Sequence, residues 1–233
     1  MTPLRYSVGE LMTYLCSVPL NPLRSGAQEL VANPQRMHAA VEGVLPPQRS
    51  GRLLWRLERD RHELTLLVLS PELPTLDHLV EQAGWPGAAG GAPKVADVAP
   101  LLAQIAIGRR FAFRARLNPV QNVPREGQRA IRRGHRTLGH QLAWFTERST
   151  GTNDAWGFCV GGDAESAQVQ VVERNRLRFT RERGSRDVVI ETATFEGILQ
   201  VTDSTRFREA LRGGLGSAKA YGCGLITLSP EIT

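Results

Sequence analysis

The sequence is poor in the residues that build metal sites, disulfide frameworks and membrane spans. Its 233 residues include three cysteines, Cys16, Cys159 and Cys223, which lie far apart and form no C-x-x-C pair. This spacing favours neither a zinc site nor a disulfide framework. The longest strongly apolar run, over residues 64–69, is far too short to cross a membrane, and residues 1–10 lack the basic start and apolar core of a signal peptide. We therefore expect a cytoplasmic protein without a membrane partner, a bound metal or a cofactor.

Aromatic residues and nucleotide-binding motifs are scarce as well. Phe, Trp and Tyr make up 6% of the chain, and the K/R-G-F/Y-G/A-F-V-x-F/Y signature of base-stacking sheets is absent. The P-loop pattern G-x-x-x-x-G-K-[ST] is absent too. Gly214-x-Gly216 follows a helical pattern and precedes a strand, which reverses the order of a dinucleotide fingerprint. If this protein binds RNA, we expect arginines rather than an aromatic platform to make the contacts.

Positive charge is supplied almost entirely by arginine. Lys and Arg total 29 against 23 Asp and Glu, a net charge of +6, and Lys94 and Lys219 are the two lysines. A basic protein suits a phosphate-rich partner, although the arginine bias of a GC-rich genome is an alternative explanation. An apolar content of 41% supports a real core, and the length fits one large domain or two of about 100 residues each.

The first half of the chain has the pattern β-α-β-β-α-β, the ferredoxin-like arrangement. Asn33 and Pro34 are typical of a helix start, with Asn as the N-cap and Pro at the first helical position. Thr75 is the predicted cap of a second helix. We predict loops over 19–32 and 84–93. The predicted strands cover 11–18, 53–57, 64–69 and 101–107.

The second half repeats this pattern. Thr137 and Asp203 precede two predicted helices, and the basic, polar segment 120–136 is predicted to be a mobile loop. The predicted strands cover 111–117, 156–160, 168–172, 176–180, 187–201 and 225–229. The fold prediction is therefore an α+β protein of two tandem ferredoxin-like (βαββαβ, RRM-like) domains, at 1–107 and 108–233.

Two local features could carry chemistry. Five glycines lie between Gly213 and Gly224 together with Lys219, and such a loop can bind a polyanion through free backbone N–H groups. The alternative is a helix C-cap followed by a tight turn. His38 falls in the first turns of a helix, at the border of the apolar stripe that contains Met37 and Val41, where it could face a groove. A structural role is the alternative for this histidine.

Six segments, spread over nearly the whole chain, resemble in order those of one family. They are N-P-x-x-M-H at 33–38, L-W-R-L at 54–57, F-R-A-R-L-N-P at 113–119, Q-L-A-W at 141–144, F-E-G-I-L at 195–199, and G-x-G-x-x-K-x-x-G-x-G-L at 214–225. Together they resemble the CasE-type CRISPR repeat-RNA endoribonucleases, the guide-RNA-maturing subunits of the type I-E Cascade complex. The sequence departs from this pattern at Gln35, where relatives can carry a tyrosine.

The resemblance implies a reaction and its partners. It implies metal-independent cleavage of CRISPR precursor RNA at the base of the repeat hairpin, by attack of a 2′-hydroxyl that leaves a 2′,3′-cyclic phosphate and a 5′-hydroxyl. The protein would stay on the mature guide RNA and join other Cascade subunits. His38 would be the general acid or the general base, because imidazole can fill either role near neutral pH. The alternative is a non-catalytic subunit of the same fold that binds the RNA hairpin.

Charged and glycine residues complete the expected site. Lys219 and the glycine loop would hold the phosphate region, whereas Arg36 either assists or is a solvated helix residue. For the arginine-rich hairpin over 174–186, an ordinary charged hairpin with Glu173 and Glu182 as partners of the arginines is the alternative to RNA binding. The residues expected to bind RNA are Arg114, Arg116, Arg174, Arg176, Arg178, Arg181, Arg183, Gly214, Gly216, Ser217, Lys219, Gly222 and Gly224.

Overall fold

The N-terminal unit is an antiparallel sheet covered by helices. A computed structural model of the chain describes residues 13–61, 63–125, 127–149, 155–161, 168–180 and 187–230. The elements of this unit are β1 (Tyr14–Leu20), α1 (Ser25–Ala32), α2 (Pro34–Glu42), β2 (Leu54–Asp60), β3 (Glu63–Ser70), α3 (Asp77–Ala83) and β4 (Lys94–Asp97). The sheet order is β2-β3-β1-β4, which is the order of a ferredoxin-like unit. Its core buries Cys16, Val18, Met37, Val41 and Leu66 completely.

The C-terminal unit repeats the same order with an added hairpin. After α4 (Ala99–Ala103) come β5 (Arg110–Leu117), β6 (Val120–Arg125), β7 (Gln128–Gly134), α5 (Leu138–Thr146), β8 (Phe158–Cys159), β9 (Val169–Thr180), β10 (Asp187–Val201), α6 (Ser204–Gly213) and β11 (Ile226–Pro230). The main sheet has the order β11-β5-β10-β8, and β9 pairs with β10. Its core is aromatic, with stacked Phe113, Phe145 and Phe195 at its centre. The predicted fold class, two tandem ferredoxin-like units, is confirmed.

Two predictions for the N-terminal half are wrong. Residues 19–32, predicted to be a loop, contain α1, which buries Ala27 and Leu30. The predicted strand at 101–107 is instead the helix α4 and its exit, and the edge strand β4 lies earlier. Pro100 stands at the start of α4, and Leu102 and Ile105, three positions apart, are buried in the core of the C-terminal unit. Helical spacing therefore explains this apolar run better than a strand does.

Three further predictions also need correction. Segment 120–136 contains the β6–β7 hairpin, in which Val120 pairs with Gly134, rather than a loop. Its strands carry polar residues on both faces, so the alternation that reveals a half-buried strand is absent. The two strands predicted at 168–172 and 176–180 are one strand, β9. Thr75 does not cap α3; its backbone N–H donates to Val44 O instead, at 2.9 Å.

The two units meet along β2. Leu54 and Leu69 of the N-terminal sheet pack against Leu225, which directly precedes β11. Arg56 lies in the same contact and is 2% exposed. Its guanidinium donates to Arg114 O at 2.7 Å and to Leu225 O at 2.9 Å, both in the other unit. No helix within the described ranges is long and apolar enough to span a membrane.

Candidate active site

Helix α2 positions His38. The Asn33 side chain caps this helix, accepting from the backbone N–H groups of Gln35 at 2.9 Å and Arg36 at 3.4 Å, as its sequence predicts. With the helix start defined in this way, Met37 points into the core and His38 lies at the edge of the buried face. The imidazole is 29% exposed, and its Nδ1 is 3.7 Å from a carboxylate oxygen of Glu42, one turn later. His38 is therefore reachable from solvent on a rigid element.

Arg36 lies on the same helix and contacts its neighbour α1. Its side chain is 58% exposed and forms an ion pair with Glu29. Exposed pairs of this kind stabilise a protein only weakly. This placement suits the solvated helix residue that was one of the two alternatives, and a role in catalysis stays a prediction.

The glycine loop follows α6, which Asp203 caps at its start through the backbone N–H groups of Thr205 and Arg206. Gly214 ends this helix in a left-handed conformation, with φ of 77°. A turn of 3₁₀ helix, Lys219–Tyr221, then leads into β11. The C-cap alternative therefore describes the start of the loop, and it does not conflict with anion binding further along.

Two of the loop glycines allow close approach to β2. A Cβ atom at Gly214 would lie 2.8 Å from a methyl carbon of Leu54, and one at Gly222 would lie 2.7 Å from the ring of Trp55. These glycines are therefore required for packing between the two units, a reason that sequence reasoning missed. A Cβ at Gly216 would meet no atom closer than 3.6 Å, so this part of the loop is open. Contact of the loop with RNA stays a prediction.

Lys219 is turned back towards the loop. Its ammonium group donates to Gly213 O at 2.7 Å. Partial burial lowers the pKa of Lys219, and the neighbouring Arg52 lowers it further. Ser217, two positions earlier, accepts from the side-chain amide of Asn118 at 3.2 Å. The loop thus presents a lysine and a hydroxyl group in a fixed arrangement.

Tyr221 joins the loop to α2. The tyrosine is 9% exposed, and its ring meets the edge of the His38 ring with the centroids 6.3 Å apart. Its hydroxyl donates to Oε1 of Gln35 at 3.3 Å. On its other side the ring packs against Phe179 of β9, at a centroid distance of 4.8 Å. Sequence reasoning did not select Tyr221; the available signal was that it is the one aromatic residue between Gly213 and Gly224.

The arginine-rich strand β9 presents its charges to solvent. Nε of Arg176 is 3.4 Å from Glu191, and Nε of Arg178 is 2.5 Å from Asp187, both on β10. The side chain of Arg178 is 73% exposed. Arg174, farther down the strand, donates to Arg136 O at 3.4 Å. These three arginines therefore lie on one exposed face of the β9–β10 hairpin, which we call the arginine hairpin.

The charged-hairpin alternative names Glu173 and Glu182 as partners of these arginines, but the described partners of Arg176 and Arg178 are other carboxylates. Among the residues that the structure describes, Glu173 accepts hydrogen bonds from Asn175 at 2.7 Å and Thr194 at 3.3 Å and pairs with no arginine. The carboxylates that pair with Arg176 and Arg178 come from β10. Glu191 lies directly across from Arg176, whereas Asp187 lies diagonally from Arg178, whose direct partner in the ladder is Val189. Arg181, Glu182 and Arg183 lie outside the described residues.

A basic groove runs between the two hairpins and the glycine loop. Its volume is about 730 Å³. The lining residues include Arg132, Arg133, Arg136, Arg176, Ser217 and Tyr221. The loop predicted over 120–136 gives no reason to select the arginines of β7 for binding. The signal available in the sequence is the adjacent pair Arg132 and Arg133. The groove ends at the ring of Tyr221, which contacts His38 on α2.

Arg114 and Arg116 lie apart from this groove, on the face of β5 that meets the N-terminal unit. Nε of Arg114 is 3.0 Å from Glu58, and the same guanidinium pairs with Glu196. Arg116 donates to Thr192 at 3.4 Å and is half-buried. Two carboxylates balance the charge of Arg114, so its contact with RNA stays a prediction.

Comparisons with known proteins agree along the length of the chain. The model of the family described as CRISPR associated protein matches residues 13–230. The CRISPR-associated endoribonuclease Cse3 of Thermus thermophilus is 29% identical over 225 residues, covering 93% of this chain and 100% of that protein. The CRISPR system Cascade subunit CasE of Escherichia coli (strain K12) is 25% identical over 135 residues, covering 54% of this chain and 61% of that protein.

A solved structure has the same architecture. Thermus thermophilus Cse3, bound to an RNA representing a pre-cleavage complex, superposes with a TM-score of 0.74 at 27% identity. The match covers 94% of this chain and 100% of that one.

Proposed function

Because the chain belongs to the CRISPR associated protein family, we propose that it is an endoribonuclease that cuts CRISPR precursor RNA within the repeat, at the base of the hairpin. It then remains on the mature guide RNA as a subunit of Cascade. The observation that carries this proposal is the meeting of His38, from the start of the chain, with the glycine loop, from its far end, beside a groove lined by arginines.

The groove suits the stem of an RNA hairpin. Double-stranded RNA is recognised mainly by its shape and its phosphates, which guanidinium groups bind well. Arg176 and Arg178 are paired with carboxylates but remain more than half exposed, so both can exchange a carboxylate for a phosphate. Arg132, Arg133 and Arg136 supply charge from the opposite wall.

The proposed reaction is a transesterification within the RNA. A 2′-hydroxyl oxygen attacks the adjacent phosphorus, the O2′–P bond forms, and the P–O5′ bond breaks. The products carry a 2′,3′-cyclic phosphate and a 5′-hydroxyl. His38 takes the proton of the 2′-hydroxyl as general base or gives a proton to O5′ as general acid. Lys219 and the open part of the loop, around Gly216 and Ser217, offset the charge that develops on the phosphoryl oxygens.

The first experiment incubates the protein with its cognate repeat RNA in EDTA. We expect cleavage, with products that polynucleotide kinase labels at the 5′ end without prior phosphatase treatment. A substrate with a 2′-deoxy nucleotide at the cut position should bind but stay intact. Dependence on Mg²⁺, or products with 3′-hydroxyl ends, would indicate a hydrolytic mechanism. Binding without any cleavage would favour the non-catalytic alternative.

The second experiment assigns His38. His38→Ala should lower the single-turnover rate by the ~10²–10⁴-fold typical of a lost acid–base group, with little change in affinity. His140→Ala, at an exposed position on α5, is the matched control and should cleave normally. A substrate with sulfur in place of the bridging 5′-oxygen separates the two roles, because a thiolate leaves without protonation. This substrate should restore His38→Ala if His38 is the acid. A near-normal rate for His38→Ala on the natural RNA would make this histidine structural.

A further inference from the structure

Tyr221 contacts two elements of the structure, β9 on one side and α2 on the other. One side of its ring meets β9 through Phe179, in a small cluster that includes Ile190 of β10. The other side meets α2, through the edge of the His38 ring and the hydrogen bond to Gln35. The buried ring of Tyr221 therefore lies between the turn end of the β9–β10 hairpin, near Phe179, and the imidazole of His38.

The backbone around Tyr221 is held in an unusual conformation. Ala218, directly before the 3₁₀ turn, has φ of 58° and ψ of 32°, a left-handed conformation that is costly for a residue with a Cβ. Gly222, directly after the turn, is left-handed as well, and it is confined by the ring of Trp55. The N–H of Tyr221 donates to Ala218 O at 2.9 Å, which closes the turn. A strained conformation persists only where the surrounding contacts enforce it, and such sites concentrate at functional positions.

We propose that Tyr221 is a positioning residue that places the His38 imidazole relative to the RNA held by the arginine hairpin. The hydroxyl anchors the first turn of α2 through Gln35, and the ring supports His38 from the side. The proposal rests on the proposed function, because it concerns the geometry of that same cleavage. Tyr221 need not touch the reacting atoms for this role.

The physical reason for a large effect is geometric. The imidazole has to lie within hydrogen-bond distance of the RNA oxygen whose proton it takes or to which it gives a proton. A displacement of about 1 Å can lower the rate by about 10²-fold. The hairpin carries the RNA contacts, and α2 carries the imidazole. Helix α2 contacts both the 3₁₀ turn and β9, and Tyr221 is the residue of the turn whose ring meets Phe179 of β9 and His38 of α2.

The test measures single-turnover cleavage at saturating protein, together with the dissociation constant for RNA. Tyr221→Phe retains the ring and loses the hydrogen bond to Gln35, and we expect a rate loss of roughly three- to tenfold. Tyr221→Leu also loses the ring and should be slower by about 10²-fold. Affinity should change less than twofold in Tyr221→Phe. Tyr14→Phe, at a half-buried tyrosine two strands away from β2, is the matched control and should behave as the unmodified protein.

A double-mutant cycle distinguishes positioning from general stability. Gln35→Leu should slow cleavage about as much as Tyr221→Phe, and the double variant should be no slower than either single variant, because both remove one interaction. Phe179→Leu should slow cleavage in the unmodified protein but not in Tyr221→Leu. Thermal unfolding of each variant checks the fold, and if Tyr221→Leu does not fold, the cycle with Tyr221→Phe still decides.

The outcomes separate this inference from the proposed function. If the unmodified protein does not cleave RNA, the proposed function is wrong. If His38→Ala is inactive while Tyr221→Phe and Tyr221→Leu cleave at the normal rate, the positioning role alone is overturned. Additive losses in the cycle, or a change confined to affinity, would also overturn it.

Discussion

Replacing Arg56 by methionine should loosen the contact between the two units of the protein. This arginine is 2% exposed and bonds four groups at once. It donates to the backbone oxygens of Arg114 and Leu225, to the hydroxyl of Thr227 at 2.8 Å, and to the carboxylate of Glu58 at 2.5 Å. Burial lowers the pKa of Arg56, and the carboxylate of Glu58 opposes this shift. Methionine has a similar length and removes every one of these donors.

The expected loss follows from the groups left behind. The buried oxygen of Leu225 would lose its donor, at about 1–3 kcal/mol, whereas the half-buried oxygen of Arg114 still accepts from the Thr227 hydroxyl at 3.3 Å. The carboxylate of Glu58 still forms an ion pair with Arg114, so it is not left without a cationic partner. The variant also avoids the cost of burying a guanidinium, which offsets part of the loss. We expect a net decrease of about 2 kcal/mol in the free energy of unfolding, which is below the roughly 3–5 kcal/mol seen when a buried charge loses its only partner, because Glu58 keeps Arg114.

Urea unfolding followed by tryptophan fluorescence measures this loss. With a slope of about 2 kcal/mol per molar urea, the midpoint should fall by roughly 1 M. Arg59→Met, at an exposed arginine of the same strand, is the matched control and should stay within about 0.5 kcal/mol of the unmodified protein. Arg56→Lys should be intermediate, because one ammonium cannot span acceptors placed around a planar guanidinium. If Arg56→Met were no less stable than Arg59→Met, the three hydrogen bonds to Arg114, Leu225 and Thr227 would not hold the units together.

Two other variants test the hairpin and the loop. Arg176→Ala combined with Arg178→Ala should weaken RNA binding and reduce the slope of log K against log salt by roughly one per lost contact, while Arg59→Ala leaves the slope unchanged. Cleavage at saturating protein should largely recover; lost rate there would mean that these arginines also position the cleavage site, and an unchanged slope that they do not contact phosphates. Gly222→Ala should destabilise the protein by at least about 2 kcal/mol in urea unfolding, because the new methyl group would need a left-handed backbone and the space of the Trp55 ring. A stable Gly222→Ala variant would show that Trp55 can move aside.

Much of the fold could be predicted because periodicity reports local burial. Helix α2 was recognised from its cap and from Met37 and Val41, which the structure buries completely. The errors arose where burial depends on distant partners. Leu102 and Ile105 lie in an apolar run whose helical conformation is stabilised by the core of the other unit. The β6–β7 hairpin carries polar residues on both faces, so its strands leave no alternating pattern in the sequence.

The candidate site shows the same difference between residues that local motifs reveal and residues whose role depends on distant contacts. His38 and Lys219 were selected because they occur in recognisable motifs, and their roles remain predictions. Arg56 and Tyr221 were not assigned roles, because their significance depends on contacts between segments that are far apart. The hydroxyl of Tyr221 meets Gln35 across 186 positions, and Arg56 meets Leu225 across 169. Neither hydrophobic periodicity nor local spacing in a single sequence reports such a pairing.

The large sequence separation between these contacting residues also determines when each contact can form during synthesis. At a synthesis rate of about 5–20 residues per second, Tyr221 leaves the ribosome roughly 10–40 seconds after Gln35. Once residue 97 has emerged the N-terminal unit can fold, but the face of β2 that carries Leu54 and Arg56 has no C-terminal unit to cover it. Arg56 keeps a hydrated charge in the middle of that face, which opposes the association of nascent chains through it. We therefore expect the arginine that later closes the interface to oppose aggregation of the unfinished protein as well. His38 has Glu42 beside it on the same helix, but it gains Tyr221 only once residue 221 has been made.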